Sequence, residues 1–164
     1  MEAGPFTGRV AFDAALREAI ISATAQGCRE MFWVDANFVD WPLSDAEVLA
    51  ALTAWARLPR RTLHLLALDY EALRLRHPRF VQWRSTYGHC VQARAVDPEL
   101  ASSFTSGGVA AAVLAAPLSL RLFDAPSGRG ALSLEPIDAL RTRERFDALA
   151  QRSCESFAAS TLGL

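Results

Sequence analysis

The chain has 164 residues, 51% hydrophobic and 21% charged, with a formal net charge of −1. That length and composition fit one globular domain, residues 1–164, with a real core, and exclude a disordered chain. The near-zero charge excludes a whole-protein field that would gather nucleic acid or coat a membrane.

Residues 1–8 read as a loose end. Asp13 is placed to cap a helix in which Leu16, Ala19, Ile20 and Ala23 recur at helical spacing, and Gly27 stops it. Residues 31–34 are a short apolar run fit for a buried strand, ended by residues 35–37. Ser44 and Glu47 have capping-box spacing, with Leu43 and Val48 at the flanking apolar positions. The helix that follows gathers Val48, Leu49, Leu52, Trp55 and Ala56 on one face and ends by Pro59. Residues 62–68 predict a second buried strand, closed by Asp69 and Tyr70. Residues 71–87 predict helix broken near His77-Pro78, with Phe80, Trp83 or Arg84, and Tyr87 on one face. Residues 90–96 read as a third strand, stopped by Asp97-Pro98, and residues 99–107 as loop or a short helical turn.

Three further strand-like runs follow at 109–114, 118–123 and 130–134. Residues 124–128 form a turn by composition, so the last two runs predict an antiparallel hairpin. Asp138 is placed to cap a closing helix with Leu149, Ser153 and Phe157 on one side. The order predicts an α/β fold: a mixed, largely parallel sheet flanked by helices on both faces, with a C-terminal β-hairpin and a closing helix.

The charge is unevenly spread. Residues 1–59 carry −4, residues 60–94 carry +5 with seven Arg and all three His, and residues 95–164 carry −2. Every basic side chain is Arg. The middle block reads either as solvated arginines or as an anion-binding face. Cys28, Cys90 and Cys154 lack metal-ligand spacing and read as buried, inert thiols, with no disulfide framework. The first ten residues lack the pattern of a signal peptide, and the apolar run 107–120 is too short to span a bilayer. Both point to a cytoplasmic protein without a membrane span. No cofactor or metal is implied.

In an open α/β sheet ligands sit beyond the carboxyl ends of the parallel strands. Those ends carry Asp35, Asn37, Asp69, Tyr70 and Asp97, which either line a crevice or simply form strand-to-helix turns. The densest stretch is 77–84. His77, Arg79 and Arg84 have the chemistry to hold an anionic ligand, and Trp83 to stack on one; the alternative is an amphipathic helix with Phe80 and Trp83 in the core. His64 lies in an apolar strand and reads as a sheet-face histidine. His89 has no fixed partner in the sequence. The glycine pair at Ser106-Gly-Gly108 lacks a Walker lysine, and there is no nucleophile elbow.

The element order and the segment 117–124 (PLSLRLFD), followed by 131–134 and a closing helix spanning 141–161, resemble one half of the phospholipase D superfamily. That resemblance implies a His-x-Lys-x4-Asp motif. Aligning its Asp on Asp124 puts Pro117 in the His place and Ser119 in the Lys place, with Ala131 and Leu132 where Gly-Ser belongs. No nucleophilic imidazole and no phosphate-holding cation stand there. The resemblance therefore implies a non-catalytic domain used in binding or assembly, with a homodimer expected and a protein or anionic ligand as partner. Two alternatives stand beside it: a phosphodiesterase or nuclease built on His77, His89 and Asp69, and a nucleic-acid or anion-binding module built on residues 60–94.

Overall fold

Short β-rich runs alternate with helix-period runs through most of the chain, and the longer elements follow those patterns. The computed structural model describes residues 2–105 and 108–159. In chain order they form β1 (Gly4–Phe6), α1 (Arg9–Ala25), β2 (Glu30–Val34), α2 (Ala46–Ala56), β3 (Thr62–Ala67), α3 (Glu71–Arg76) and α4 (Pro78–Thr86). Then come β4 (Val91–Val96), β5 (Ala111–Ala115), β6 (Leu118–Asp124), β7 (Arg129–Ser133), α5 (Pro136–Ala150) and β8 (Ser153–Glu155), with 3₁₀ turns at Gly88–Cys90 and Pro98–Phe104. Ser106, Gly107 and Thr161 lie outside the described residues, so the glycine-pair segment and the far end of the expected closing helix are not placed.

The strands make one mixed sheet in the order β1-β7-β6-β5-β2-β3-β4-β8. Parallel pairing is confined to β2-β3-β4, where helices supply the crossovers. Every other joint is antiparallel, including the expected β6-β7 hairpin. A tight hairpin needs only a few residues to reverse the chain, whereas a parallel neighbour needs a crossover of a dozen or more. The short β5-β6-β7 connections therefore make that half of the sheet antiparallel.

Helices cover both faces. Alternation along β2 sends Met31 and Trp33 into the larger core, with Leu16, Ile20, Leu52, Trp55 and Phe80. It sends Phe32 and Val34 into a smaller core with Leu66, Val96, Phe146 and Leu149 of α5. Trp33, Trp55 and Phe80 are each at most 1% exposed. Each such side chain contributes roughly 1.5–3 kcal/mol relative to exposure.

Several element ends differ from the sequence reading. Part of the 1–8 segment is ordered: β1 pairs with β7 at the sheet edge. It sits so close that a Cβ on Gly130 would lie 2.5 Å from Cζ of Phe6. Asp13 is inside α1, because the apolar period runs on to Phe12 and Gly8 takes the N-cap place. Gly27 does end the helix, at φ 70°. Asp45, not Ser44, caps α2: its Oδ1 accepts from Glu47 N at 2.8 Å and Val48 N at 3.2 Å. Asp138 lies within the first turn of α5, and its Oδ2 accepts from the Ser133 hydroxyl at 2.7 Å. The chain leaves α5 at Ala150, so Ser153 belongs to β8, which pairs with β4. Of the three thiols, Cys90 is buried, Cys28 partly so, and Cys154 exposed on β8. No helix among the described residues is long and apolar enough to cross a membrane.

Candidate functional site

β2, β3 and β4 end side by side at Asp35, Asp69 and Asp97. Each carboxylate is occupied by the backbone just after it. Asp35 Oδ2 accepts from Asn37 N at 3.1 Å and Phe38 N at 2.7 Å, Asp69 from Glu71 N at 3.1 Å, and Asp97 from Glu99 N at 2.9 Å. Asn37 Oδ1 accepts from Val39 N at 3.0 Å. These are Asx turns that launch loops and helices. Burial pushes the Asp35 carboxyl up against those two N–H groups. The Glu99 N–H, then Arg152, hold Asp97 below the usual carboxylate range. Tyr70 is in the core: its hydroxyl donates to the Arg94 carbonyl at 2.9 Å and its ring stacks on Phe157 at 5.0 Å.

The 77–84 segment turns mostly inward. His77 Nε2 lies 2.8 Å from the Val39 carbonyl oxygen, which can only accept, so Nε2 carries the proton. Nδ1 then accepts from the Ser44 hydroxyl at 2.6 Å, and both ring nitrogens are engaged. Trp83 stacks on Phe80 and lies tilted against Tyr87, each at 5.5 Å, within the core. Arg79 is exposed, but Arg84 comes five positions later, on a different side of a helix with 3.6 residues per turn. The Arg84 guanidinium runs under the C-terminal segment. Its Nε donates to the Phe157 carbonyl and its Nη1 to that of Gly88, both at 3.1 Å. Burial lowers its pKa, with Tyr70 opposing that shift. Arg79 and Arg84 therefore do not form one anion clamp.

The three histidines also stand apart. His64 stacks on Phe32 at 4.5 Å and reaches Glu30 Oε2 at 2.8 Å. His89 precedes β4, whereas Asp69 follows β3. β3 and β4 run parallel and in register, so these two residues occupy opposite ends of the sheet. A cleft shared by His77, His89 and Asp69 is not formed.

The basic block 60–94 divides in the same way. Arg94 donates to Ser153 Oγ and O, both at 2.7 Å, and Arg74 lies over the Phe157 ring at 4.8 Å. Arg60 and Arg61 join Arg57 and His89 around a groove of about 510 Å³ at the amino ends of β3 and β4.

At the start of β6, Ser119 is fully buried and its Oγ has no hydrogen-bond partner among the described residues. Pro117 lines an open groove of about 620 Å³ with Phe32, Leu114, Pro136, Ala139 and Leu140. Leu140, part of this lining, is 53% exposed, and Arg29, Glu30 and Arg143 also border the groove. Asp124 serves its turn, its Oδ2 accepting from Ser127 N at 3.1 Å.

One constellation has no counterpart in the sequence reading. Arg121 of β6 and Arg141 and Arg145 of α5 line a small cavity of about 70 Å³, closed by Val34, Ala112, Thr142 and Phe146. The Nε groups of Arg121 and Arg145 are buried without a partner among the described residues. Arg145 Nη2 donates to the Ser103 and Val109 carbonyls at 2.6 and 2.9 Å, and burial alone pushes its pKa down. Asp138 pairs with Arg121 at 3.2 Å. The i,i+4 spacing of Arg141 and Arg145 is legible in the sequence, but their meeting with Arg121 is not.

Fold and grooves together define a mixed α/β domain with arginines lining several of its clefts, among them the β6–α5 cavity and the groove at the amino ends of β3 and β4. No family model and no curated protein matches the chain. Among solved structures it is similar to TrmBL2, an archaeal chromatin protein whose structure is described as showing a novel mode of DNA binding: TM-score 0.63, 12% identity, covering 95% of this chain and 55% of that one. The chain thus spans about 55% of the length of that solved chain, and the likeness is one of fold.

Proposed function

We propose that the chain is a non-catalytic domain on a phospholipase D-like scaffold, acting in binding or assembly, with a second copy of itself as the assembly partner. The observation that carries this is the chemistry at the start of β6. Pro117 and a sealed Ser119 stand where a nucleophile and a cation would be needed, and Pro117 borders a mainly apolar groove that includes Phe32, Leu114 and the exposed Leu140, with Arg29, Glu30 and Arg143 also in its lining. Exposed apolar clusters of this kind suit protein contacts better than phosphodiester chemistry. Incubation with bis-p-nitrophenyl phosphate and with DNA is expected to give no turnover; turnover abolished by Asp124→Ala would remove the reading. Sedimentation equilibrium is expected to find a dimer that Leu140→Glu dissociates, and an unchanged mass for that variant counts against self-assembly through this groove.

A second reading, nucleic-acid binding, is favoured by the groove of Arg57, Arg60, Arg61 and His89 and by the DNA-binding description of the solved neighbour. It predicts fluorescence-anisotropy affinity for duplex DNA that falls steeply with salt. Each phosphate contact removed, as in Arg60→Ala, flattens the log–log slope by about 0.9. Affinity that is indifferent to salt and to Arg57→Ala and Arg60→Ala excludes it.

A further inference from the structure

We infer that the cavity between β6 and α5 is a binding site for a dianionic tetrahedral oxyanion, inorganic phosphate or the terminal phosphoryl group of a phosphate monoester, held by Arg121, Arg141 and Arg145.

Charge is the first reason. Three guanidinium groups line the cavity, and among the described residues the acid against them is Asp138, which pairs with Arg121 and also feels Arg141. The local balance is two positive charges in excess. Arg145 is half-buried and meets only carbonyl oxygens, Ser103 and Val109, with no acid against it among the described residues. A cation withdrawn from water without a counter-ion is costly, and an anion in the cavity offsets that cost.

Unused donors are the second reason. Buried polar N–H groups are nearly always paired. Here two belong to residues of the same small cavity, the Nε–H of Arg121 and of Arg145. Guanidinium N–H groups in a planar fork match the oxygens of phosphate. The Thr142 hydroxyl already donates to the Asp138 carbonyl at 2.7 Å, so the arginines carry the recognition.

Size is the third reason. A cavity of about 70 Å³ exceeds the roughly 10–15 Å³ that one water requires, yet is far below the several hundred that a drug-sized ligand fills. It admits a phosphoryl group and leaves any attached alcohol outside. Arg141 is exposed and also lines the cavity. The site lies toward the opposite end of β5 and β6 from Pro117, since Ala112 pairs with Arg121 and Ala115 with Leu118. It is therefore separate from the apolar groove, and its failure leaves the reading given under Proposed function untouched.

The test is a thermal-shift titration of the full chain with inorganic phosphate against sodium chloride at matched ionic strength, backed by calorimetry. At about a hundred times Kd, phosphate is expected to raise Tm by about 5–10 °C above the chloride control. Arg141→Ala, an exposed change that spares the fold, is expected to weaken binding about 10–100-fold, the loss of one charge-assisted contact. Arg145→Met is expected to abolish it; circular dichroism establishes whether that variant is folded, and Arg141→Ala decides if it is not. Phosphoserine and a 5′-phosphorylated oligonucleotide form the other arms: tighter binding than inorganic phosphate assigns the site to a terminal phosphoryl group, and weaker binding to the free ion. No shift above chloride, or an equal shift in Arg141→Ala, overturns the inference. So does stabilisation by unphosphorylated duplex DNA with none from inorganic phosphate.

Discussion

Ser44 Oγ donates to Nδ1 of His77 across 2.6 Å, joining the loop before α2 to the bend between α3 and α4. The same imidazole donates through Nε2 to the Val39 carbonyl, so one buried ring pins the β2–α2 connection at two points to the bend between α3 and α4. The contact draws Ser44 away from the cap of α2, which Asp45 takes.

Ser44→Ala leaves Nδ1 of a buried imidazole without its donor and is expected to destabilise the fold by about 1–3 kcal/mol. His77→Ala also opens a cavity and is expected to cost more. Urea denaturation checks both. If Ser44→Ala is neutral while Asp45→Ala is also neutral, neither the ring contact nor the cap holds this end of the molecule.

Asp35 and Asp45 are predicted to bend the pH–stability curve in opposite directions. Burial holds the Asp35 carboxyl above its unfolded value. Its ionised form is therefore the unfavourable one, and the penalty is absent below the unfolded pKa near 4 and grows as pH rises through the folded pKa. Asp35→Asn keeps an oxygen for the Asn37 and Phe38 N–H groups, so it is expected to match or exceed the parent in stability at pH 7, with the gap closing toward pH 4. A variant much weaker than the parent at pH 7 would show that the charge itself is needed.

For Asp45, burial opposes ionisation, but the Arg17 hydrogen bond and the Val48 and Glu47 N–H groups outweigh it, and the folded pKa is lowered. Its contribution is present above the unfolded value near 4 and is lost as pH falls through the folded one. Asp45→Ala is expected to cost about 1 kcal/mol at pH 7. Against that parent, the deficit should shrink below pH 4, as chemical denaturation at stepped pH would record.

Phe157, 3% exposed at φ 48°, packs against Tyr70 at 5.0 Å while its carbonyl accepts from Arg84. Phe157→Ala is expected to destabilise by about 3–5 kcal/mol and to speed hydrogen exchange of the β8 amides. Protection of β8 equal to that of the parent would mean that the strand holds without its aromatic anchor.

Much of the backbone was legible because its causes are local. The alternation of apolar runs placed β2, β3, β4, β6 and β7, and the break at His77-Pro78 separates α3 from α4 as the sequence indicates. Those signals need only a few neighbouring residues. The caps were harder: in Ser44-Asp45 two adjacent side chains can both cap, and a histidine 33 positions away decides between them. β1 and β8 are three-residue edge strands whose own sequence has no period to read; they form because β7 and β4 offer free edges.

The sequence by itself determined the α/β class, the helices on both faces, the hairpin, and that position 117 holds no imidazole and position 119 no cation. Only the tertiary structure decided which polar side chains are committed. Arg79 and Arg84 look alike in the chain, yet one meets water and the other two backbone carbonyls. Arg121 lies twenty positions before Arg141, yet the two share one cavity. The physical reason is that periodicity and turn chemistry act over a few residues, whereas the burial and pairing of a charge depend on what the rest of the chain folds against it.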